Sequence, residues 1–241
     1  MSLFAIADLH LSTSDVTNKS MEVFGPRWAG YTERLRSAWE AIVSPSDTVV
    51  IGGDISWALT PEEATADLHY IDRLPGRKIL LKGNHDYWWP TTAKLSAFKE
   101  KEALTSLSFL FNCAYLCEDV IVCGTRGWYH DPTADGARDA SADYEKIVAR
   151  EAGRLRLSLE AGRALDAGEG RETVVFLHFP VKWGTAVCEP ILQVLCEYGI
   201  RRCYFGHIHG AAPTSFTLEG IEMTLIAADA LSFVPRLVPM H

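Results

Sequence analysis

The sequence lacks the long apolar runs and the cysteine patterns that mark membrane proteins and disulfide-rich proteins. No stretch approaches the roughly 18 apolar residues of a membrane span. The apolar start Met1–Ala7 has no basic segment and ends at Asp8, unlike a signal peptide or an anchor. The six cysteines form no CxxC pair and lie mostly in apolar runs, which predicts reduced core thiols. We therefore expect a cytoplasmic protein with no membrane partner.

Positive charge is also scarce. Lysine and arginine number 23 against 31 aspartates and glutamates, which gives a formal net charge of −8. A surface for extended nucleic acid needs a basic stripe that replaces counterions, so we do not expect nucleic acid as a partner. Small phosphorylated substrates remain compatible with this charge, because a bound metal ion supplies local positive charge.

The first hundred residues alternate between short apolar runs and amphipathic stretches. The predicted strands are 3–7, 48–51 and 78–81, and the predicted helices are 31–43, 61–74 and 92–101. The second helix has a strong start, with Pro61 behind Thr60 and two glutamates in its first turn. This order indicates an α/β fold with parallel strands joined by right-handed crossovers.

The pattern then changes. Three closely spaced apolar runs suggest antiparallel strands at 108–111, 114–116 and 120–123. The remaining predicted elements are helices at 142–167 and 187–198, strands at 173–177 and 202–205, and a hairpin of 215–218 with 221–226. Residues 11–30 and 124–140 are predicted to be irregular loops. No repeat, low-complexity tract or linker interrupts the chain, so we predict a single domain over residues 1–241.

Five of the predicted buried strands end in residues that can bind a metal ion or transfer a proton. These residues are Asp8 and His10; Asp54; Asn84, His85 and Asp86; His178; and His207 and His209. A single histidine at a strand end is more often a structural, hydrogen-bonded one. A whole sheet whose strands end in ligand types, with Gly53, Gly83 and Gly206 at the sharp turns, indicates a shared site at the carboxyl edge.

These blocks resemble the calcineurin-like metallophosphoesterases. The match comprises Asp8-x-His10, Gly53-Asp54, Gly83-Asn84-His85-Asp86, His178 and Gly206-His207-x-His209, in that order. The resemblance implies a four-layer αββα sandwich, with two mixed β-sheets flanked by helices. Parallel units followed by antiparallel strands are compatible with that architecture but do not by themselves establish it.

The resemblance also implies a dinuclear metal centre. By the family pattern, the first metal would be held by Asp8, His10, Asp54 and His209, and the second by Asp54, Asn84, His178 and His207. Mixed imidazole, carboxylate and amide ligands suit Mn, Fe, Co or Zn better than Mg or Ca. Two such ions bridged by a carboxylate would hold a hydroxide that attacks phosphorus in line.

Two further residues of the Gly83–Asp86 block have implied catalytic roles. His85 corresponds to the family histidine that hydrogen-bonds the phosphoryl oxygen or protonates the leaving group, and an imidazole titrates in a range suited to that task. Asp86 is predicted either to orient His85 or a ligand histidine, or to cap a helix.

The residues after Asp54 separate this chain from one branch of the family. Protein Ser/Thr phosphatases of the family have an acid and an arginine there, in the pattern xxDRG, whereas this chain has Ile55-Ser56-Trp57-Ala58-Leu59. The segments ADLHLS (7–12) and GNHD (83–86) look more like those of small bacterial phosphodiesterases and uncharacterised phosphohydrolases. We therefore predict a phosphohydrolase that cleaves a small phosphodiester or phosphomonoester.

Aromatic and basic residues near the motif loops are candidate substrate contacts. The aromatic ones are Trp57, Trp88, Trp89, Trp128, Tyr129 and Trp183, which could stack a flat group or simply pack the loops. The basic ones are Lys19, Arg27, Arg126 and Lys182. We take Trp57, Arg126, Trp128 and Lys182 as the predicted substrate-binding residues.

Two other functions stay open at this point. A non-catalytic metal-binding scaffold of the same fold would tolerate lost ligands or a lost catalytic histidine, and none is missing here. A nuclease would need a basic channel, which the net charge disfavours.

Overall fold

Two mixed β-sheets form the centre of the fold. The computed structural model describes residues 1–14, 19–128 and 142–240. The first sheet has the strand order β13-β1-β2-β3-β4, and the second has the order β11-β12-β10-β7-β6-β5. The strands of the first sheet are β1 (Leu3–Ile6), β2 (Thr48–Ile51), β3 (Arg77–Leu80), β4 (Leu107–Phe109) and β13 (Arg236–Val238).

The second sheet is built from the later part of the chain. Its strands are β5 (Tyr115–Cys117), β6 (Val120–Thr125), β7 (Glu172–Leu177), β10 (Arg202–Phe205), β11 (Ser215–Leu218) and β12 (Ile221–Leu225). A two-stranded ribbon, β8 (Lys182–Trp183) with β9 (Ala186–Val187), lies outside both sheets. The helices are α1 (Tyr31–Ile42), α2 (Pro61–Arg73), α3 (Thr92–Lys101), α4 (Ala142–Asp166) and α5 (Glu189–Glu197).

Side chains that point alternately to the two faces of each strand build the four layers. In β1, Leu3 and Ala5 belong to a buried cluster that also contains Val122 and Phe176 of the second sheet, so the two sheets pack face to face. Phe4 and Ile6 point the other way, into a cluster with α1, α2 and α3. The outer face of the second sheet packs against α4 and α5 in a third cluster. The predicted αββα sandwich is confirmed.

The carboxyl ends of the central strands converge at one edge. Strands β1 to β4 run parallel to one another, and so do β6, β7, β10 and β12. The two sheets are joined there by backbone hydrogen bonds from Ala7 N to the Ile226 carbonyl (2.8 Å) and from Ala228 N to the Ala7 carbonyl (2.8 Å). The predicted strand ends are therefore brought together.

Three sequence predictions need correction. The run at 108–111 was predicted to be antiparallel, but β4 pairs parallel with β3, since α3 gives the chain its crossover. The helix predicted from residue 187 begins at Glu189, because Ala186–Val187 pairs with β8. The two predicted loops are not wholly irregular: single 3-10 turns occur at Met21–Phe24 and Pro26–Trp28, and Gly124 and Thr125 of the predicted loop 124–140 belong to β6.

Other predictions agree with the structure or fall outside it. Helix α3 spans the predicted residues, and the hairpin β11–β12 is antiparallel. All six cysteines are unpaired, and four of them are buried. Most of the predicted loop 124–140, including Tyr129, lies outside the described residues. Within the described part of the chain, no helix is both long and apolar enough to cross a membrane.

Candidate metal centre

Six of the seven predicted metal ligands lie in two adjacent groups at the joined sheet edge. In each group, one possible ligand atom from every residue lies within 4.8 Å of the others. Group one is Asp8, His10 and His209, and group two is Asp54, His178 and His207. The seventh, Asn84, adjoins group two, where its Oδ1 is 2.7 Å from Nε2 of His178.

The carboxylate of Asp54 lies between the two groups. Its Oδ2 is 3.7 Å from Nε2 of His10 in group one and 3.5 Å from Nε2 of His178 in group two. That oxygen is buried and has no hydrogen-bond donor among the described residues, whereas Oδ1 accepts from the His85 N–H at 2.8 Å. A buried carboxylate oxygen without a donor is costly, and a cation shared by both groups would compensate it.

The histidine rings present nitrogen lone pairs to the same space. Nδ1 of His178 lies 3.1 Å from the Gly52 carbonyl, and Nδ1 of His209 lies 3.1 Å from an oxygen of Asp229. Both Nδ1 atoms are therefore assigned as donors, which leaves each Nε2 as an acceptor. Nε2 of His209 then faces Nε2 of His10 at 3.0 Å. Converging acceptors of this kind fit divalent cations that take mixed nitrogen and oxygen ligands.

Burial keeps these imidazoles in their ligand form. It lowers the pKa of His178 and of His207 to about 3 each, and it lowers that of His10 well below its usual value, with the neighbouring histidines adding to the effect. Burial and then the charge of Asp54 raise the pKa of Asp8 well above its usual value. Neutral imidazoles beside crowded carboxylates are the arrangement that a positive ion stabilises.

Four of the ligand residues have a left-handed backbone. The φ angles are 60° at Asp8, 44° at His10, 51° at Asp54 and 70° at His207. Such angles are uncommon outside glycine and cluster at functional sites. The loops hold one another in this conformation, because Asp8 N and His10 N donate to the carbonyls of Gly53 and Asp54, both at 2.9 Å.

Two motif glycines are required by close approach. A Cβ at Gly83 would lie 2.1 Å from Oδ1 of Asp54, and one at Gly206 would lie 2.5 Å from Oδ2 of Asp8. Neither contact is physically possible, so any side chain would displace a ligand carboxylate. Beside Gly206, the His207 N–H donates to both oxygens of Asp8, at 3.0 and 2.9 Å.

Asp86 has a different role from either one predicted. Its buried carboxylate accepts hydrogen bonds from Gly83 N (2.8 Å), Ile55 N (2.9 Å), Ser56 N (3.3 Å) and the Trp88 indole (2.9 Å). Its hydrogen bonds within the described chain include neither the His85 ring nor a ligand histidine, and it caps no helix. Asp86 instead joins the backbone after Asp54 to the loop that carries Asn84 and His85.

Asp229 is a site residue that the sequence prediction missed. Oδ1 of its buried carboxylate is the partner of His209 Nδ1, and Oδ2 accepts from Gly210 N (2.8 Å) and from Arg27 (3.0 Å). Carboxylates in this position fix the tautomer of a metal-binding histidine. A signal was present, because the apolar run of β12 continues to Ala228 before this acid.

The loop that carries His10 is fixed by two other buried groups. The Tyr31 hydroxyl donates to the His10 carbonyl at 2.7 Å. The Asp67 carboxylate on α2 accepts from Thr13 N at 2.7 Å and from the Ser56 hydroxyl at 2.5 Å. These bonds connect the segment after β1 to the segment after β2.

His85 opens onto a cleft of 690 Å³, here called the aromatic cleft, on the side of group one. Its other lining residues are His10, Met21, Phe24, Pro26, Arg27, Trp28, Trp57, His209, Gly210 and Asp229. The ring of Trp57 stacks on His10 with centroids 4.7 Å apart and contacts His85 at 4.6 Å. Phe24, at the lip, is 67% exposed.

The four predicted substrate residues do not share one place. Trp57 lies in the aromatic cleft. Arg126 does not line that cleft but lies beside group two, where its carbonyl accepts from His178 N at 3.1 Å. Trp128 packs on Phe179 with centroids 5.0 Å apart and lies under the Arg126 guanidinium. Lys182 belongs to the β8–β9 ribbon. It lines neither the aromatic cleft nor a second, separate cleft that Arg126 lines.

The other aromatic and basic candidates also separate. Trp88 and Trp89 are core residues, whereas Trp183 on the ribbon is half exposed. The ammonium of Lys19 lies 5.4 Å from the centre of the Trp57 ring, and Arg27 is engaged with Asp229.

Solved structures with the same fold have very different sequences. Phosphopantetheinyl hydrolase from Mycobacterium tuberculosis matches with a TM-score of 0.51 and 15% identity, over 98% of this chain and 95% of that one. The protein TT1561 of Thermus thermophilus matches with a TM-score of 0.57 and 8% identity, over 95% and 89% of the two chains. At such identities the likeness concerns the fold alone.

A sequence relative and a family profile complete the comparison. The Gene 66 protein of Mycobacterium phage L5 is 48% identical over 52 residues, which are 22% of this chain and only 25% of the phage protein. The family profile described as calcineurin-like phosphoesterase matches residues 1–211, which include every residue of both groups. The chain is a member of the calcineurin-like phosphoesterase family.

Proposed function

We propose that this protein is a dinuclear metal-dependent phosphohydrolase that acts on a small phosphorylated substrate. The observation that carries the proposal is the position of Asp54, whose donor-free Oδ2 faces a histidine of each ligand group. One bridging carboxylate between two ligand sets is the arrangement that two-metal hydrolysis requires. Bound divalent ions would supply an activated water and neutralise charge on the phosphoryl oxygens.

His85 is proposed to supply the proton that the leaving group needs. It follows Asn84, and its backbone N–H is fixed by Asp54, while its ring belongs to neither ligand group. The ring lies 5.6 Å from that of His10 and lines the aromatic cleft. An imidazole between the phosphoryl position and an open cleft can protonate a departing oxygen there.

The aromatic cleft is proposed to hold the leaving group. Its wall combines the apolar side chains of Met21, Phe24 and Trp57, so it favours an apolar or flat group over a charged one. The same wall contains Arg27, whose charge is engaged by Asp229.

The first experiment is a hydrolysis screen of the purified protein with Mn²⁺, Zn²⁺, Co²⁺ or Mg²⁺. We expect turnover of an aryl phosphate monoester or diester that requires added metal and is lost on chelation. Metal-loaded protein that is inert towards a broad panel of phosphoesters would contradict the proposal and favour a non-catalytic scaffold.

A second experiment isolates His85. His85→Ala is expected to lower kcat by about 10²- to 10⁴-fold, the usual contribution of a general acid, while metal analysis still finds both ions. His69→Ala is the matched control, because that histidine lies on α2 and pairs with Glu102 away from the ligand groups. Loss of metal in the His85 variant would instead assign His85 to the ligand set.

A further inference from the structure

A second cleft, here called the basic cleft, shares no lining residue with the aromatic cleft. It has a volume of 480 Å³ and opens between β3, β6 and α4. Two of its lining residues adjoin group two: Lys82 is two positions before Asn84, and the Arg126 carbonyl accepts from His178 N. The aromatic cleft is thus lined by two residues of group one, His10 and His209, whereas the basic cleft is lined by residues next to group two.

The basic cleft concentrates positive charge in an acidic protein. Lys82, Arg126, Arg150 and Arg154 line it, and Glu151 is its only lining acid among the described residues. The whole sequence has a formal net charge of −8, so this local excess of cations is not a general property of the protein. Such a cleft focuses a positive potential.

Glu151 contacts two of these four cations. Its carboxylate is fully buried, accepts from Arg154 and from the Thr125 hydroxyl (2.8 Å), and lies 3.5 Å from the Arg126 guanidinium. Among the described residues that line the cleft, this one acid accompanies four cations, an excess that an internal salt-bridge network would not need. Nε of Arg126 is buried and has no acceptor among the described residues.

The guanidinium groups of Arg126 and Arg154 both approach the Glu151 carboxylate, so these two positive charges lie close together. An anion bound in the basic cleft would relieve their repulsion. Guanidinium groups present paired N–H donors that match a phosphate.

We propose that the basic cleft binds a second phosphate group of the substrate, carried by the part that is retained after the leaving group departs. The proposal rests on the proposed phosphohydrolase function, and it narrows the substrate to a phosphodiester whose retained part carries a second phosphate group, since a simple monoester retains only inorganic phosphate. The scissile phosphate would lie at the ligand groups, the leaving group in the aromatic cleft and the second phosphate against Arg150 and Arg154.

Binding tests this without requiring turnover. Calorimetry on the metal-loaded protein would compare thymidine 5′-monophosphate with thymidine 3′,5′-bisphosphate, which differ only in the second phosphate. We expect the bisphosphate to bind about tenfold more tightly, as charge-assisted hydrogen bonds allow. Arg150→Gln and Arg154→Gln should each reduce that advantage, whereas the monophosphate affinity should stay the same.

The control variant is Arg163→Gln. It removes the same charge from the same helix, but Arg163 pairs with Glu160 and does not line the basic cleft. Arg154 contacts buried Glu151, so thermal denaturation must show that the Arg154 variant is still folded. Arg150 is exposed, so its substitution tests the proposal without a risk to the fold. Equal affinity for the two nucleotides, or an equal loss in the control, would overturn the proposal.

Kinetics separate this proposal from the phosphohydrolase function. Thymidine 5′-(p-nitrophenyl phosphate) and its 3′-phosphorylated form release the same leaving group, so we expect a lower KM for the second with similar kcat. If both esters are cleaved with the same KM, the proposed phosphate site in the basic cleft is contradicted and the proposed phosphohydrolase activity is supported. If neither ester is cleaved but the bisphosphate binds more tightly through Arg150 and Arg154, the proposed activity is contradicted and the phosphate site is supported.

Discussion

The two ligand groups are held in place by different parts of the chain. Group one depends on side chains: the Asp229 carboxylate faces His209, the Trp57 ring stacks on His10, and the Tyr31 hydroxyl holds the His10 backbone. Group two has a backbone support, the Gly52 carbonyl that holds His178, and one side-chain support, the Asp86 carboxylate beside Asn84. Side-chain supports can be removed one at a time, so group one should be the more easily altered by substitution.

Asp54 is the one residue that should affect both groups equally. In Asp54→Asn the Oδ1 position can still accept from His85 N, but the oxygen that faces both groups becomes an amide NH₂ that repels cations. We expect both ions to be lost and turnover to fall by about 10³-fold or more. Metal content after dialysis and kcat are the measurements.

Asp119→Asn provides the control for this substitution, because Asp119 is an exposed acid in the turn between β5 and β6. It should keep its metal and its activity. If the Asp54 variant retains two tightly bound ions, Asp54 does not bridge the groups, and the comparison between them would have to be redrawn.

Asp229→Asn should separate the two groups. The amide cannot act as the charged acceptor for His209 Nδ1, so we expect metal affinity at group one to fall by about 10- to 100-fold with group two unchanged. Titration of the metal-free protein with Mn²⁺ or Co²⁺ should then show one weakened site. Arg27→Gln removes the other side-chain partner of Asp229 and should have a smaller effect. Equal weakening of both metal sites by Asp229→Asn would contradict the division between the two groups.

The ligands could be predicted from sequence because each of them follows closely on the end of a predicted buried strand. An apolar run that ends in Asp8, Asp54 or His178 is a local signal, and parallel strands place their carboxyl ends together. Asp229 also follows an apolar run, but a lone acid there has many structural uses. Its partner His209 lies 20 positions away in the chain, and only the fold reveals that pairing.

Other features of the site and the fold could not be predicted from local sequence patterns. The left-handed backbone at Asp8, His10, Asp54 and His207 is imposed by hydrogen bonds between loops, not by the preference of those residues. The hydrogen bonds of Asp86 could not be predicted from local sequence either, since their four donors come from two separate loops. The parallel direction of β4 depends on how α3 crosses the sheet, which spacing between short apolar runs does not encode.

Asp86→Asn tests whether group two depends on the hydrogen bonds by which Asp86 joins two loops. Oδ1 of Asp86 accepts from Ile55, Ser56 and Trp88, and Oδ2 accepts from Gly83 N. An asparagine can satisfy the first set only by turning its NH₂ towards Gly83 N, which leaves two buried donors facing each other. We expect the free energy of unfolding to fall by about 1–3 kcal/mol, as measured by denaturant titration.

The same variant should weaken metal binding at group two more than at group one, because Gly83 immediately precedes Asn84. Asp72→Asn is a suitable control, since Asp72 also accepts from a backbone N–H, that of Ser106 at 2.9 Å, away from the ligand groups. A stability loss with no change at group two would show that Asp86 supports the fold but does not position Asn84.

Tyr31→Phe should give the smallest of these effects. It removes the hydroxyl that donates to the His10 carbonyl and leaves that buried acceptor without this donor, while the ring keeps its contacts with Trp28 and Phe233. We expect a loss of about 1 kcal/mol in unfolding free energy and a few-fold weaker metal affinity at group one only. Tyr70→Phe is the matched control, because the Tyr70 hydroxyl donates to the Thr32 carbonyl away from the ligands. If both variants lower stability but neither changes affinity at group one, the His10 backbone is held without Tyr31, and the side-chain dependence of group one reduces to Asp229 and Trp57.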